Sequence, residues 1–106
     1  MPEHNTEDVA GRISIESFVH PGKTYDVDAG MYHAMRAAML DALPTDSLGM
    51  TREQMVEAVV PHLPEDLFPG GAKAGWWSKT VQLDLEAKGL IARGSSSPLR
   101  WHRGRR

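Results

Sequence analysis

The sequence predicts a single α+β domain that runs hairpin, helix, helix, helix, hairpin. Three observations predict it. Short stretches of alternating apolar residues lie at both ends of the chain, which suits strands. Between them, apolar residues recur at helical spacing, and Gly and Pro clusters separate the segments. The 106 residues, 41% hydrophobic and 25% charged, suit one soluble domain large enough to bury a core.

Residues 1–12 carry little apolar content and no period, so they read as a mobile arm ahead of a domain over 13–103, with a basic tail over 104–106. Ile13, Ile15, Ser17 and Val19 alternate with Ser14, Glu16 and Phe18, the pattern of a first strand. Pro21-Gly22 signals a type II turn, and Lys23 to Val27 alternates again with Tyr25 and Val27 on one face. Asp28 is a good N-cap for a helix from about Ala29 to Leu43. Its stripe is Met31, Met35, Ala38, Met39 and Ala42, with Tyr32 and Arg36 flanking it, and Pro44 ends it. Three methionines on that face suit a core better than an adaptable groove.

Thr51 with Gln54 forms a capping-box pattern for a second helix through Met55, Ala58, Val59 and Leu63, disturbed at Pro61. Pro64 to Gly71 is a long connection whose Leu67 and Phe68 should tuck inward. A third helix from about Ala72 to Lys88 stops at Gly89. Trp76, Trp77, Thr80, Val81, Leu83, Leu85 and Ala87 give it a wide apolar arc, while Ser78, Lys79, Gln82 and Glu86 gather opposite as a solvated face. Leu90 to Arg93 and Leu99 to His102 form the last hairpin around a Ser-rich loop.

Charge divides the chain. Residues 1–70 carry four basic and twelve acidic residues, and residues 71–106 carry eight basic and two acidic ones. The formal total of −2 therefore conceals a basic C-terminal third, a possible footprint for phosphates. The acidic first part confines any such binding to one surface. With no cysteine, thiolate catalysis, thiolate-ligated metals and disulfides are excluded. The five histidines, His4, His20, His33, His62 and His102, are scattered without ligand spacing, so no metal site or cofactor is expected. No apolar run is long enough for a membrane span and the polar start lacks a signal-peptide core, which points to a cytoplasmic protein.

The stretch Leu85-Glu86-Ala87-Lys88-Gly89-Leu90-Ile91-Ala92-Arg93, followed by a small polar loop and a strand, resembles the end of a winged helix. Bacterial regulators of that kind carry a very similar Leu-Glu-x-x-Gly-Leu-Ile-x-Arg segment at the end of their third helix. From about Val19 onward the chain also resembles a family of small, uncharacterised bacterial proteins without an established activity. That resemblance lies in Pro21-Gly22-Lys23-Thr24-Tyr25, in Tyr32-His33-Ala34-Met35-Arg36-Ala37-Ala38 and in the run from His62 to Trp77.

The winged-helix resemblance implies binding of double-stranded DNA, with the third helix in the major groove and the wing on the backbone. Ser78, Lys79, Gln82 and Glu86 would then face bases, where Gln suits adenine, Lys guanine acceptors and Glu the cytosine amine. Arg93, Arg100 and Arg103 would neutralise phosphates, with His102 donating to one. A transcriptional regulator is the first expectation. The second is an interaction module that binds a protein instead. The connection before the third helix is longer than a helix-turn-helix allows and carries Glu65 and Asp66, which repel phosphate. Trp76 and Trp77 cannot both face the same way, which leaves two readings: one is core and the other is exposed to anchor a partner, or both bury on opposite sides of an interface with the N-terminal hairpin. The third expectation is an anion site at Gly70-Gly71, where a helix begins without Walker spacing. Ser95-Ser96-Ser97 lacks a nucleophile context, and the pairs Glu65-Asp66 and Asp84/Glu86 lack a cleft pattern, so no catalytic residue is expected. The sequence leaves the oligomeric state open.

Overall fold

The structure, a computed structural model, describes residues 11–46, 48–95 and 97–104. Most of the arm expected over residues 1–12, and residues 105–106 of the basic tail, lie outside these. Arg12 belongs to the first strand rather than to an arm.

Strands β1 (Arg12–Glu16) and β2 (Thr24–Asp28) pair antiparallel, with Ile13 opposite Val27 and Ile15 opposite Tyr25. Cross-strand partners share a face, so Ile13, Ile15 and Val27 turn inward and are buried. The first strand is shorter than its alternation suggests. Beyond Glu16 the chain turns, and Phe18 and Val19 are exposed. The Lys23 N–H donates to the His20 carbonyl, and Gly22 takes φ +89°, which closes the Pro21-Gly22 turn.

Helix α1 (Ala29–Ala42) is capped by the Asp28 carboxylate, which accepts from the Met31 N–H at 2.8 Å. Met35, Ala38 and Met39 are fully buried. Tyr32 is buried as well rather than flanking the core, because the hairpin and the third helix close over it. Helix α2 (Arg52–Val59) begins with the reciprocal Thr51–Gln54 capping box. A single 3₁₀ turn over Val60–His62 holds Pro61, which ends the α-helical run earlier than the apolar pattern predicts. In the connection Phe68 is buried, whereas Leu67 remains exposed.

Helix α3 (Ala74–Ala87) contacts α1, α2 and both sheets. It ends in a Schellman arrangement: the Gly89 N–H donates to the Glu86 carbonyl and the Leu90 N–H to that of Leu85. Strands β3 (Ile91–Arg93) and β4 (Trp101–Arg103) then pair antiparallel, Ala92 opposite His102. Met50, in the α1–α2 connection, adds an antiparallel bridge to Trp101. The described residues thus form an α+β fold of three helices and two small antiparallel sheets. None of these helices is long and apolar enough to cross a membrane.

Candidate functional site

The polar face of α3 is not solvated. Ser78, Gln82 and Glu86 are buried, because α2 and the C-terminal hairpin pack where the helical wheel suggests water. Their polar atoms are satisfied within the fold. The Arg52 guanidinium donates to Gln82 Oε1 at 2.8 Å, to the Gly75 carbonyl at 3.0 Å and to Ser78 Oγ at 3.3 Å. Gln82 Nε2 donates to Glu86 Oε1 at 2.8 Å, and Arg93 grips the same carboxylate through Nε at 2.6 Å and Nη2 at 2.9 Å. Burial draws the Arg52 pKa down, while the hydrogen bond to Glu86 holds that of Arg93 up. Of the four residues expected to face bases, Lys79 alone remains exposed.

The cations expected on phosphates are similarly dispersed. Arg93 is held by Glu86 and lies between two rings, 4.9 Å from the Phe18 centroid and 5.6 Å from that of Trp101. It is therefore not the free solvent-facing arginine that the sequence suggests. Arg100 is partly buried and reaches Gln54 Oε1 at 3.5 Å. His102 donates from Nδ1 to the Arg103 carbonyl at 2.9 Å. Arg103 is partly buried, with its Nε enclosed. At Gly70-Gly71 the expected anion position is occupied from within: Glu65 Oε2 accepts from the Gly70 N–H at 2.8 Å, and the next two N–H groups bond Phe68 and Pro69 carbonyls.

What the fold leaves open lies on the other side of α3. A groove of about 530 Å³ runs between the helix and the N-terminal hairpin. Trp76, Lys79, Thr80 and Leu83 form its helical wall, at spacings of three and four residues that share one face. Ile15, Ser17, Tyr25 and Val27 form the facing wall, with Val19 and His20 at the turn. The two tryptophans part here. Trp77 enters the core, whereas Trp76 stands 60% exposed at the groove, edge-on to its neighbour at 5.1 Å. Tyr25 and Val19 are exposed too. Ser17 is buried, and its hydroxyl lacks a hydrogen-bond partner among the described residues.

The hairpin is fixed to the helix by a buried carboxylate. Asp84 accepts from the Glu16 N–H at 2.9 Å, from the Tyr32 hydroxyl at 2.5 Å and from Lys88 Nζ at 2.7 Å. The Phe18 N–H donates to the Leu83 carbonyl at 3.1 Å. These bonds hold the first strand and the turn after it against α3. Among the described residues, no cluster of acidic and histidine side chains could hold a metal ion.

A family model described as a family of unknown function, DUF6958, matches residues 12–101, nearly the whole described chain. The chain belongs to the DUF6958 family. Both walls of the groove fall inside the matched span, so the groove is a feature of the DUF6958 region of the chain. Among curated proteins and solved structures, nothing matches. Sequence reasoning singled out Trp76 and Lys79 but missed the groove, because the hairpin wall is separated from α3 by some fifty residues of chain. The one available signal was the second apolar row on α3, Trp76, Thr80 and Leu83, which a single core does not need.

Proposed function

We propose that this chain is a winged-helix protein-interaction module whose docking surface is the groove between the N-terminal hairpin and α3. The observation that carries the reading is Trp76, a large aromatic left 60% exposed at the rim of an apolar groove. Buried aromatic anchors dominate interface energetics, and an exposed one beside an apolar cleft is what a docking surface offers before its partner arrives. The winged-helix assignment is supported by the order of three helices followed by a hairpin. It is also supported by the Met50–Trp101 bridge, which brings a strand-like residue between the first two helices onto the wing.

DNA reading is the weaker alternative. A recognition helix needs free side chains, and Ser78, Gln82 and Glu86 are engaged by Arg52, Arg93 and one another. Exposing them would uncouple α2 and the wing from α3.

The test is selection from a random peptide library displayed on phage, run against the wild type and against Trp76→Ala. Sequences enriched on the wild type and lost on the variant are the expected result. No such enrichment, together with micromolar, salt-steep binding of random duplex DNA, would overturn the reading in favour of nucleic acid.

A further inference from the structure

Resting on the interaction-module reading, we infer that the groove's partner is an acidic amphipathic peptide segment. A large apolar side chain of that segment lies against Trp76, Tyr25 and Leu83, and a neighbouring carboxylate meets Lys79. The sign of the charge follows from the strand register. Four residues with charge or charge potential line the groove: Glu16, Asp26, His20 and Lys79. Ile15 opposite Tyr25 sets the inner face of the hairpin, so the alternate pairs, Ser14 opposite Asp26 and Glu16 opposite Thr24, belong to the outer face. Glu16 and Asp26 therefore line the groove from strands whose alternation turns their carboxylates to the other face. Lys79 lies on the helical wall, one turn from Trp76, and has neither a hydrogen bond nor an ion pair among the described residues. An unpaired ammonium beside an apolar groove complements an anion.

A peptide suits the groove better than a small carboxylate. Sites for small molecules bury most of the ligand's surface. Here Trp76, Val19 and Tyr25 are 60%, 49% and 45% exposed, so a molecule confined to the groove would leave these walls wet. A chain that continues over the rim covers them.

The experiment sequences the peptides enriched on wild type but not on Trp76→Ala. It then titrates the strongest of them, and its Asp/Glu-to-Asn/Gln version, against wild type and Lys79→Glu by fluorescence anisotropy. Lys79 is exposed and has no hydrogen bond or ion pair among the described residues, so Lys79→Glu should keep the fold, which its melting curve verifies. The expected result is enrichment of segments pairing an aromatic or large aliphatic residue with Asp or Glu. Lys79→Glu should weaken the acidic peptide about fivefold or more, and the neutralised peptide much less. Trp76-dependent peptides without acidic residues, unaffected by Lys79→Glu, would overturn the charge assignment and leave the docking reading standing. Absence of any Trp76-dependent peptide would overturn both. Decanoate binding that competes with the peptide at equal affinity would assign the groove to a small carboxylate instead. A dimer of this chain that Trp76→Ala dissociates would assign it to a second copy.

Discussion

At the scale of single residues, Asp84 joins more of the fold than any alternation or stripe suggests. It is fully buried, and its two oxygens accept from a strand N–H, a phenol and an ammonium, which ties β1, α1 and the end of α3 to one point. Removing one partner of a buried, hydrogen-bonded charge leaves the others unsatisfied. Asp84→Ala should therefore cost about 3 kcal/mol or more in urea unfolding, and Tyr32→Phe about 2 kcal/mol. The phenol adds a pH dependence. Burial first, and the bond to Asp84 second, push the Tyr32 pKa above its ordinary value. The folded state then keeps a proton that the unfolded chain releases near pH ~10. This contribution is complete below that pH and is lost as pH rises through and beyond it. Unfolding midpoints at a series of alkaline pH values should fall for the wild type and fall less steeply for Tyr32→Phe. Equal slopes would refute the assignment. None of this was legible in the sequence, where Asp84 reads as half of a carboxylate pair without a cleft pattern and Tyr32 as a flanking residue. The partners are 52 and 68 positions apart in the chain, and helical periodicity carries no information about such distances.

Elements were read more successfully than residues, because caps and breakers act locally. Asp28, the Thr51–Gln54 box, Pro61 and Gly89 each act within a few residues of their position, and helix order and approximate bounds followed from them. The bounds that moved did so for tertiary reasons: β1 stops at Glu16 because the next residues turn onto α3. The Met50–Trp101 bridge was invisible, since a single paired residue has no period. Gly49 makes that bridge possible. It takes φ +68°, and a Cβ there would lie 2.7 Å from the Trp101 carbonyl oxygen, a backbone atom that cannot swing aside. Gly49→Ala should cost about 2 kcal/mol from the left-handed backbone alone, with the contact adding to it. Hydrogen exchange should locate the damage, with the Met50 and Trp101 amides losing protection before those of α1. Thr51→Ala, which removes the capping hydroxyl of α2, should cost about 1 kcal/mol. If both variants showed the same exchange pattern, the bridge would not be a separate fastening.

For the molecule as a whole, folding pairs two of the eight cations in residues 71–106 with the two acidic residues of the same segment, so the surplus of cations counted there stays in place. Lys88 and Arg93 are cationic in the count but paired in the structure, with Asp84 and Glu86. The first part of the chain adds a cation to this surface rather than an acid: Arg52 reaches across to the neutral Gln82 and Ser78 side chains. The resulting chain of bonds, from α2 through α3 to the C-terminal hairpin, makes these elements depend on one another. Glu86→Ala would strand Arg93 and Gln82 together and should cost about 3 kcal/mol or more. The placement of the remaining cations sets an expectation for nucleic acid. Each phosphate neutralised on a duplex contributes about −0.9 to the slope of log K against log salt. Among the described residues, Lys79, Arg100 and Arg103 are the expected DNA-facing cations not paired with a carboxylate, and the last two are partly buried. Random duplex DNA, titrated by anisotropy from low to physiological salt, should therefore bind no tighter than about 10⁻⁴ M, with a slope shallower than about −3. Arg100→Ala should change that slope by less than about one phosphate's worth. A slope steeper than about −5 with micromolar affinity would mean that the cations act together on one surface. In that case the buried polar face of α3 would have to open on binding, and Glu86→Ala, which loosens that face, would then strengthen DNA binding rather than only weaken the fold.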